Sequence, residues 1–140
     1  MSNLAHKAES ELHCYTAAQI PHIWGKVESH ISNALSRGSN YTLEDVYEGL
    51  CNSLMQLWVW ENQVDVDAAL VTTIQVKDDV KYLLFLALGG SRLQEWRVYQ
   101  PIVEEWAREQ GCTEMRIYGR LGWAKRFGFK IDYAKMSKQL

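Results

Sequence analysis

Hydrophobic residues recur along this chain with two alternating periods. Ile20, Ile23, Trp24, Val27, Ile31, Ala34 and Leu35 return every three or four positions, which lines one face of a helix, while His22, Lys26, Ser29 and Asn33 fall off that face. Thr16 and Gln19 have the spacing of a capping box, and Pro21 sits in the first turn, where its missing N–H costs little. Gly38 can take the left-handed conformation that ends a helix. The pattern predicts a helix over residues 16–37. Thr42 with Asp45 announces a second one, whose apolar face is Leu43, Val46, Tyr47, Leu50 and Leu54.

The period then shortens. Residues 57–60, 68–76 and 82–88 are rich in β-branched, aromatic and aliphatic side chains and are separated by the turn-like Glu61-Asn62-Gln63 and Lys77-Asp78-Asp79, which predicts an antiparallel meander. The third run is apolar without interruption, as suits a central strand buried on both faces. Gly89-Gly90 breaks it, and Ser91 with Gln94 gives a third box-like start. Helical spacing then passes through Leu93, Trp96, Val103, Trp106 and Ala107 to Gly111. Pro101 interrupts that helix, so a kink or break is expected near Tyr99 and Gln100. A strand over 114–118, a short helix over 121–127 and a closing strand over 129–136 complete the order α-α-β-β-β-α-β-α-β. A single helix between the apolar strand and the next makes that pair parallel. Residues 1–11 are polar and read as a loose N-terminal segment.

At 140 residues, 47% hydrophobic and 23% charged, the chain is expected to form one globular domain over 1–140. Nine Gly and two Pro exclude collagenous and low-complexity classes. No apolar run reaches the roughly 20 residues that span a bilayer, and the N-terminus has no signal-peptide apolar core, so a cytoplasmic protein without a membrane partner is expected. Three cysteines without CxxC spacing, Cys14, Cys51 and Cys112, read as reduced thiols. Cys51 and Cys112 adjoin apolar faces and are expected to pack rather than react. The four histidines form no i, i+4 pair, and no metal is expected. Residues 116–140 hold seven basic groups and one acidic, whereas the first 115 hold eight basic and sixteen acidic. Arg116, Arg120, Lys125, Arg126 and Lys130 are therefore the candidate docking residues for an acidic protein or nucleic acid, against a plainer reading as a solvated helix and an edge strand.

The element order resembles the GNAT fold of acyl-CoA-dependent N-acetyltransferases over roughly residues 12–136. The run from Glu105 to Cys112 is similar to the end of that family's central helix, and Arg126-Phe127-Gly128-Phe129-Lys130 to its "K-L-G-F-K" helix-to-strand junction. Gly119-Arg120-Leu121-Gly122-Trp123 resembles a "GRxGW" run of GNAT-like proteins encoded by phages and prophages. The resemblance implies an α+β fold: a central mixed sheet, antiparallel meander plus parallel crossover, with helices on both faces. It implies acetyl-CoA as cofactor if the chain is active, with an amine attacking the thioester, a base taking its proton and an acid protonating the leaving thiolate. The backbone of Leu86, Ala87 and Leu88 would contact pantetheine. Gly89, Gly90 and Arg92, near a helix N-terminus, would form an anion nest for the pyrophosphate.

The sequence departs from the family at the positions that matter most. Counted back from Gly111, Gln94 and Trp96 stand where the phosphate loop has small residues, and a Trp there is expected to obstruct the cofactor. Ala124 replaces the family's thiolate-protonating Tyr, which leaves Tyr118 as the acid. Glu61 and Glu114, both at strand ends, are left as candidate bases. Three functions stay open: a degenerate, non-catalytic binding or virion-associated protein that needs no cofactor, which these departures favour; an active N-acetyltransferase with a divergent phosphate site; and a docking module using the basic segment. A protein partner or virion assembly, in host cytoplasm or virion, accompanies the first.

Overall fold

Of the 140 residues, the computed structural model describes 10–36, 39–91, 93–118, 130–132 and 135–140. The chain opens with strand β1 (Glu11–Tyr15), a 3-10 turn (Ala17–Gln19) and helices α1 (Ile20–Leu35) and α2 (Leu43–Cys51). Strands β2 (Gln56–Glu61), β3 (Val66–Lys77) and β4 (Val80–Gly90) follow. Next come a short helix α3 (Leu93–Trp96), a 3-10 turn (Arg97–Tyr99), helix α4 (Gln100–Glu109) and strands β5 (Glu114–Tyr118), β6 (Lys130–Asp132) and β7 (Lys135–Gln139). The seven strands form one sheet in the order β1-β2-β3-β4-β5-β7-β6. Among the described residues only β4 and β5 pair in parallel; the other neighbours are antiparallel.

Capping chemistry sets the helix starts. Gln19 Oε1 accepts the Thr16 N–H at 2.9 Å, and Thr42 and Asp45 exchange two hydrogen bonds of 3.0 Å. The stripe of α1 is buried at Ile20, Ile23, Val27, Ile31 and Leu35, and with Val46 and Leu50 of α2 it packs on Leu57, Val59, Ala69, Val71 and Ala87. The opposite face of the sheet carries the second core: Trp58, Trp60, Leu70, Leu83, Phe85, Leu88, Met115 and Ile117 against Trp96, Val103 and Ala107. Trp58 and Trp60 therefore share one face, as their spacing requires. Beside this core the buried Glu104 of α4 accepts from Gln100 Nε2 at 2.7 Å and Lys138 Nζ of β7 at 2.8 Å, tying the helix to the last strand.

Three expectations need correction. Ser10 is buried and β1 begins at Glu11, so the N-terminal segment is ordered two residues before the expected limit. Leu54 lies past the end of α2 and is 68% exposed, because the chain turns out of the helix at Ser53, whose φ is 60°. The single closing strand over 129–136 is two strands, β6 and β7, paired with each other from Lys130–Ser137 to Asp132–Lys135. The break expected near Tyr99 and Gln100 is found there: a 3-10 turn takes Arg97–Tyr99, α4 starts at Gln100, and Pro101 sits in its first turn, where it needs no N–H partner. The helix expected over 121–127 lies outside the described residues.

Candidate functional site at the β4–β5 fork

The parallel ladder between β4 and β5 runs from Tyr82–Glu114 to Phe85–Ile117 and stops there, while β4 continues for five residues to Gly90. Leu86 is an extra residue in the β3–β4 ladder, since Thr72 pairs with Phe85 and Val71 with Ala87. A bulge of this kind bends its strand and increases the local twist, and here it coincides with the point where β4 leaves β5. Beyond it, no described strand pairs with the β5-facing edge of Leu86, Ala87 and Leu88. Leu86 is half-buried, whereas Ala87 and Leu88 are buried. The backbone proposed for pantetheine thus lies on an edge that no described strand covers, above an apolar floor.

The end of β4 is closed. Gly89 packs against α1 so tightly that a Cβ would run into the His30 carbonyl, and a Cβ on Gly90, whose φ is 136°, would strike the Asp67 carbonyl. The Ser91 N–H donates to that same carbonyl at 2.7 Å. Both glycines therefore serve contacts with α1 and β3, and the first N–H after them is already paired. Residues in this cradle do not fit a pyrophosphate: the space a Cβ would fill is occupied by protein. Arg92 lies outside the described residues.

Trp96 ends α3, the short helix that follows the turn after β4. Its side chain is fully buried in the core beneath the sheet, with its ring edge-on to Phe85 at a centroid distance of 6.2 Å. The expected steric obstruction is corrected to an anchor, which pins the α3 turn to the sheet. Glu114 lies at the far end of the parallel ladder from the fork. It pairs across from Tyr82 at the start of the parallel ladder, three residues or about 10 Å from the fork. It binds Arg116 Nε at 2.5 Å and accepts from Gln139 Nε2 at 2.9 Å. Arg116 also lies over the Tyr82 ring at 4.0 Å, so it is held by an internal acid and ring. Tyr118 ends β5 one residue past the last pair, at the fork itself; its side chain lies outside the described residues. So do Arg120, Lys125 and Arg126, and the side chain of Lys130, which opens β6.

Glu61 sits two strands away from the fork's β4, at the outer end of β2. It accepts the Tyr15 hydroxyl and contacts His13 Nδ1 at 3.0 Å, while Glu11 reaches His13 Nε2 at 3.4 Å. The Glu61 hydrogen bond raises the His13 pKa above 6.5 against an opposing effect of burial. Tyr15 is pushed up to about 12, foremost by burial and then by Glu61. Burial likewise raises the Cys112 thiol, which lies in the core. Among the described residues no group of three or more His, Cys, Asp or Glu could hold a metal ion, and no helix is long and apolar enough to cross a membrane. Ser10, His30 and Asp67 were not singled out by sequence reasoning. Asp67 is a second bulge residue, the extra position between the pairs Trp60–Ala68 and Glu61–Val66, and it meets Ser10 and Ser91, both distant in sequence.

No family model and no curated protein matches the chain. Solved structures do. A GNAT family acetyltransferase from Brucella melitensis in complex with acetyl-CoA aligns with TM-score 0.64 at 13% identity, over 93% of this chain and 88% of that one. The PaiA N-acetyltransferase from Thermoplasma acidophilum in complex with coenzyme A gives 0.60 at 12% identity, over 94% and 99%. An N-acetyltransferase from Staphylococcus aureus Mu50 gives 0.65 at 10% identity, over 94% and 98%. Identities this low speak for architecture, and the architecture of this chain, a mixed sheet forked between the parallel strands β4 and β5 with helices on both faces, is the GNAT fold.

Proposed function

We propose that this chain is a GNAT-fold protein of phage or prophage type whose acyl-CoA site is degenerate, and that it works as a non-catalytic binding or virion-associated protein. The observation that carries this reading is the closed end of β4. A pyrophosphate needs free N–H groups and room for close approach at the strand-to-helix turn. Here the room beside Gly89 and Gly90 is filled by the His30 and Asp67 carbonyls, and the Ser91 N–H is bonded to Asp67. The distance of Glu114 from the fork, and its ties to Arg116 and Gln139, agree with it. The phage association rests on the Gly119–Trp123 run alone. Millimolar acetyl-CoA is expected to leave the melting temperature unchanged, with no CoA thiol released over a panel of amines. A ligand at 100 times its Kd adds about 2.7 kcal/mol, so a clear upward shift would overturn this reading.

One observation favours a second reading, an active acetyl-CoA-dependent N-acetyltransferase. The fork leaves a backbone edge along Leu86, Ala87 and Leu88 suited to pantetheine, and it brings the end of β5, with Tyr118, to its mouth. A thermal shift by acetyl-CoA together with thiol release would establish that alternative.

A further inference from the structure

β1 forms one edge of the sheet and carries an unbalanced charge. Among the described residues it pairs with β2 alone, so the backbone groups of its outer side meet no described strand. Glu11, His13 and Tyr15 share the face on which α1 and α2 lie, as alternation along a strand requires, and Glu61 of β2 belongs to the same face. Glu11 stands directly across from Glu61, a like-charge pair that by itself weakens the ladder. One imidazole serves both acids: His13 Nδ1 lies 3.0 Å from Glu61, and Nε2 lies 3.4 Å from Glu11. Glu61 also accepts the Tyr15 hydroxyl, and the side chains that α1 and α2 bury on this face are apolar. Glu11, with 76% of its side chain exposed, thus shares the single cation of the cluster with Glu61, beside a His13 ring that is 50% exposed.

We propose that this edge docks a second copy of the chain, β1 against β1 and antiparallel, with His13 of each copy opposite Glu11 of the other. A two-fold axis perpendicular to the sheet keeps every side chain on its own face, and it must then pass between two copies of one residue. At Glu11 or at His13 it sets like charges directly opposite. At Cys14 it sets His13 against Tyr15 and leaves Glu11 unmatched. Between the two Leu12 residues it forms both His13–Glu11 pairs at once, so that each Glu11 lies between two imidazoles, one from each copy. A short paired edge buries little surface, so the dimer is a weak and reversible one. It does not depend on whether the fork binds a cofactor.

The test measures self-association by sedimentation equilibrium, with a reducing agent present because Cys14 is exposed. At about pH 6 the ring carries its proton, since the Glu61 hydrogen bond raises its pKa above 6.5, and wild type is expected to dimerise. At about pH 9 the ring is neutral, and association is expected to weaken about tenfold. Glu11→Lys puts opposite charges across from each other at Glu61, so the monomer should melt no lower than wild type. Docked copies would instead set Lys against His13, and association at about pH 6 is expected to fall about tenfold. Glu11→Lys combined with His13→Glu reverses both partners and is expected to restore association to within about threefold of wild type. Wild type that stays monomeric at millimolar concentration, equal association at the two pH values, or a dimer untouched by Glu11→Lys would each overturn the inference. So would a double variant that stays monomeric, because opposite charge would then not be what joins the edges.

Discussion

His13 shows how much a single side chain's surroundings decide. It is half-exposed on β1, yet Glu61 and Glu11 approach its two ring nitrogens at 3.0 and 3.4 Å. The hydrogen bond to Glu61 raises its pKa above the ordinary 6.5, so the folded chain binds this proton more tightly than the unfolded chain does. The contact therefore stabilises fully below about pH 6.5 and loses its contribution as pH rises through the raised folded value. In melting experiments, His13→Ala is expected to lower the melting temperature more at about pH 5.5 than at about pH 9, where the neutral ring adds little. A gap between variant and wild type that is constant with pH, or wider at the alkaline end, would remove the ion pair from consideration. Exposure keeps the effect small, since water screens both partners.

Helix α1 carries two lessons at the level of elements. Its exposed Gly25 has no atom within 4 Å of where a Cβ would stand, whereas Gly89, on the strand beneath the helix, has the His30 carbonyl there. Gly25→Ala is therefore expected to stabilise by about 0.5–1 kcal/mol through helix propensity. Gly89→Ala is expected to destabilise by about 1–3 kcal/mol or more, because helix backbone must move aside. Urea denaturation reads both, and a neutral Gly89→Ala would mean that α1 is not seated as described. Elements with their own local signal were legible in the sequence: the capping boxes at Thr16 and Thr42, the α1 stripe, the meander and the parallel β4–β5 pair. β1 was not, because Glu-Leu-His-Cys-Tyr on a sheet edge buries almost nothing and shows no apolar alternation. The candidate site was legible only as a stretch of chain. Counting residues placed the turn after β4 correctly but not the direction of Trp96, which packs into the core. Asp67 and His30 meet that turn only through folding, and nothing local marks them.

At the scale of the whole molecule, the sheet is a partition between two cores, and β4 is the strand that serves both. Leu83, Phe85 and Leu88 face the core beneath α4, while the bulge at Leu86 turns Ala87 toward α1 and α2. The charge asymmetry does not follow this division, since the acidic body spans both layers and the excess of basic over acidic groups lies in the last 25 residues. With one shared sheet, neither layer can keep its packing after the other is lost, so unfolding should be a single cooperative step. Ile31 and Trp96 are fully buried, one in each core. Ile31→Ala is expected to cost about 2–5 kcal/mol and Trp96→Ala about 3–5 kcal/mol. Lying on opposite faces of the sheet with no shared cluster, the two sites should add to within about 0.5 kcal/mol wherever the double variant still folds. In each variant the far-ultraviolet dichroism and the fluorescence of the remaining tryptophans should change together. A melt that splits into two phases after either substitution would mean that the helical layers unfold separately, and β4 would then be a boundary between two units rather than the strand that joins them.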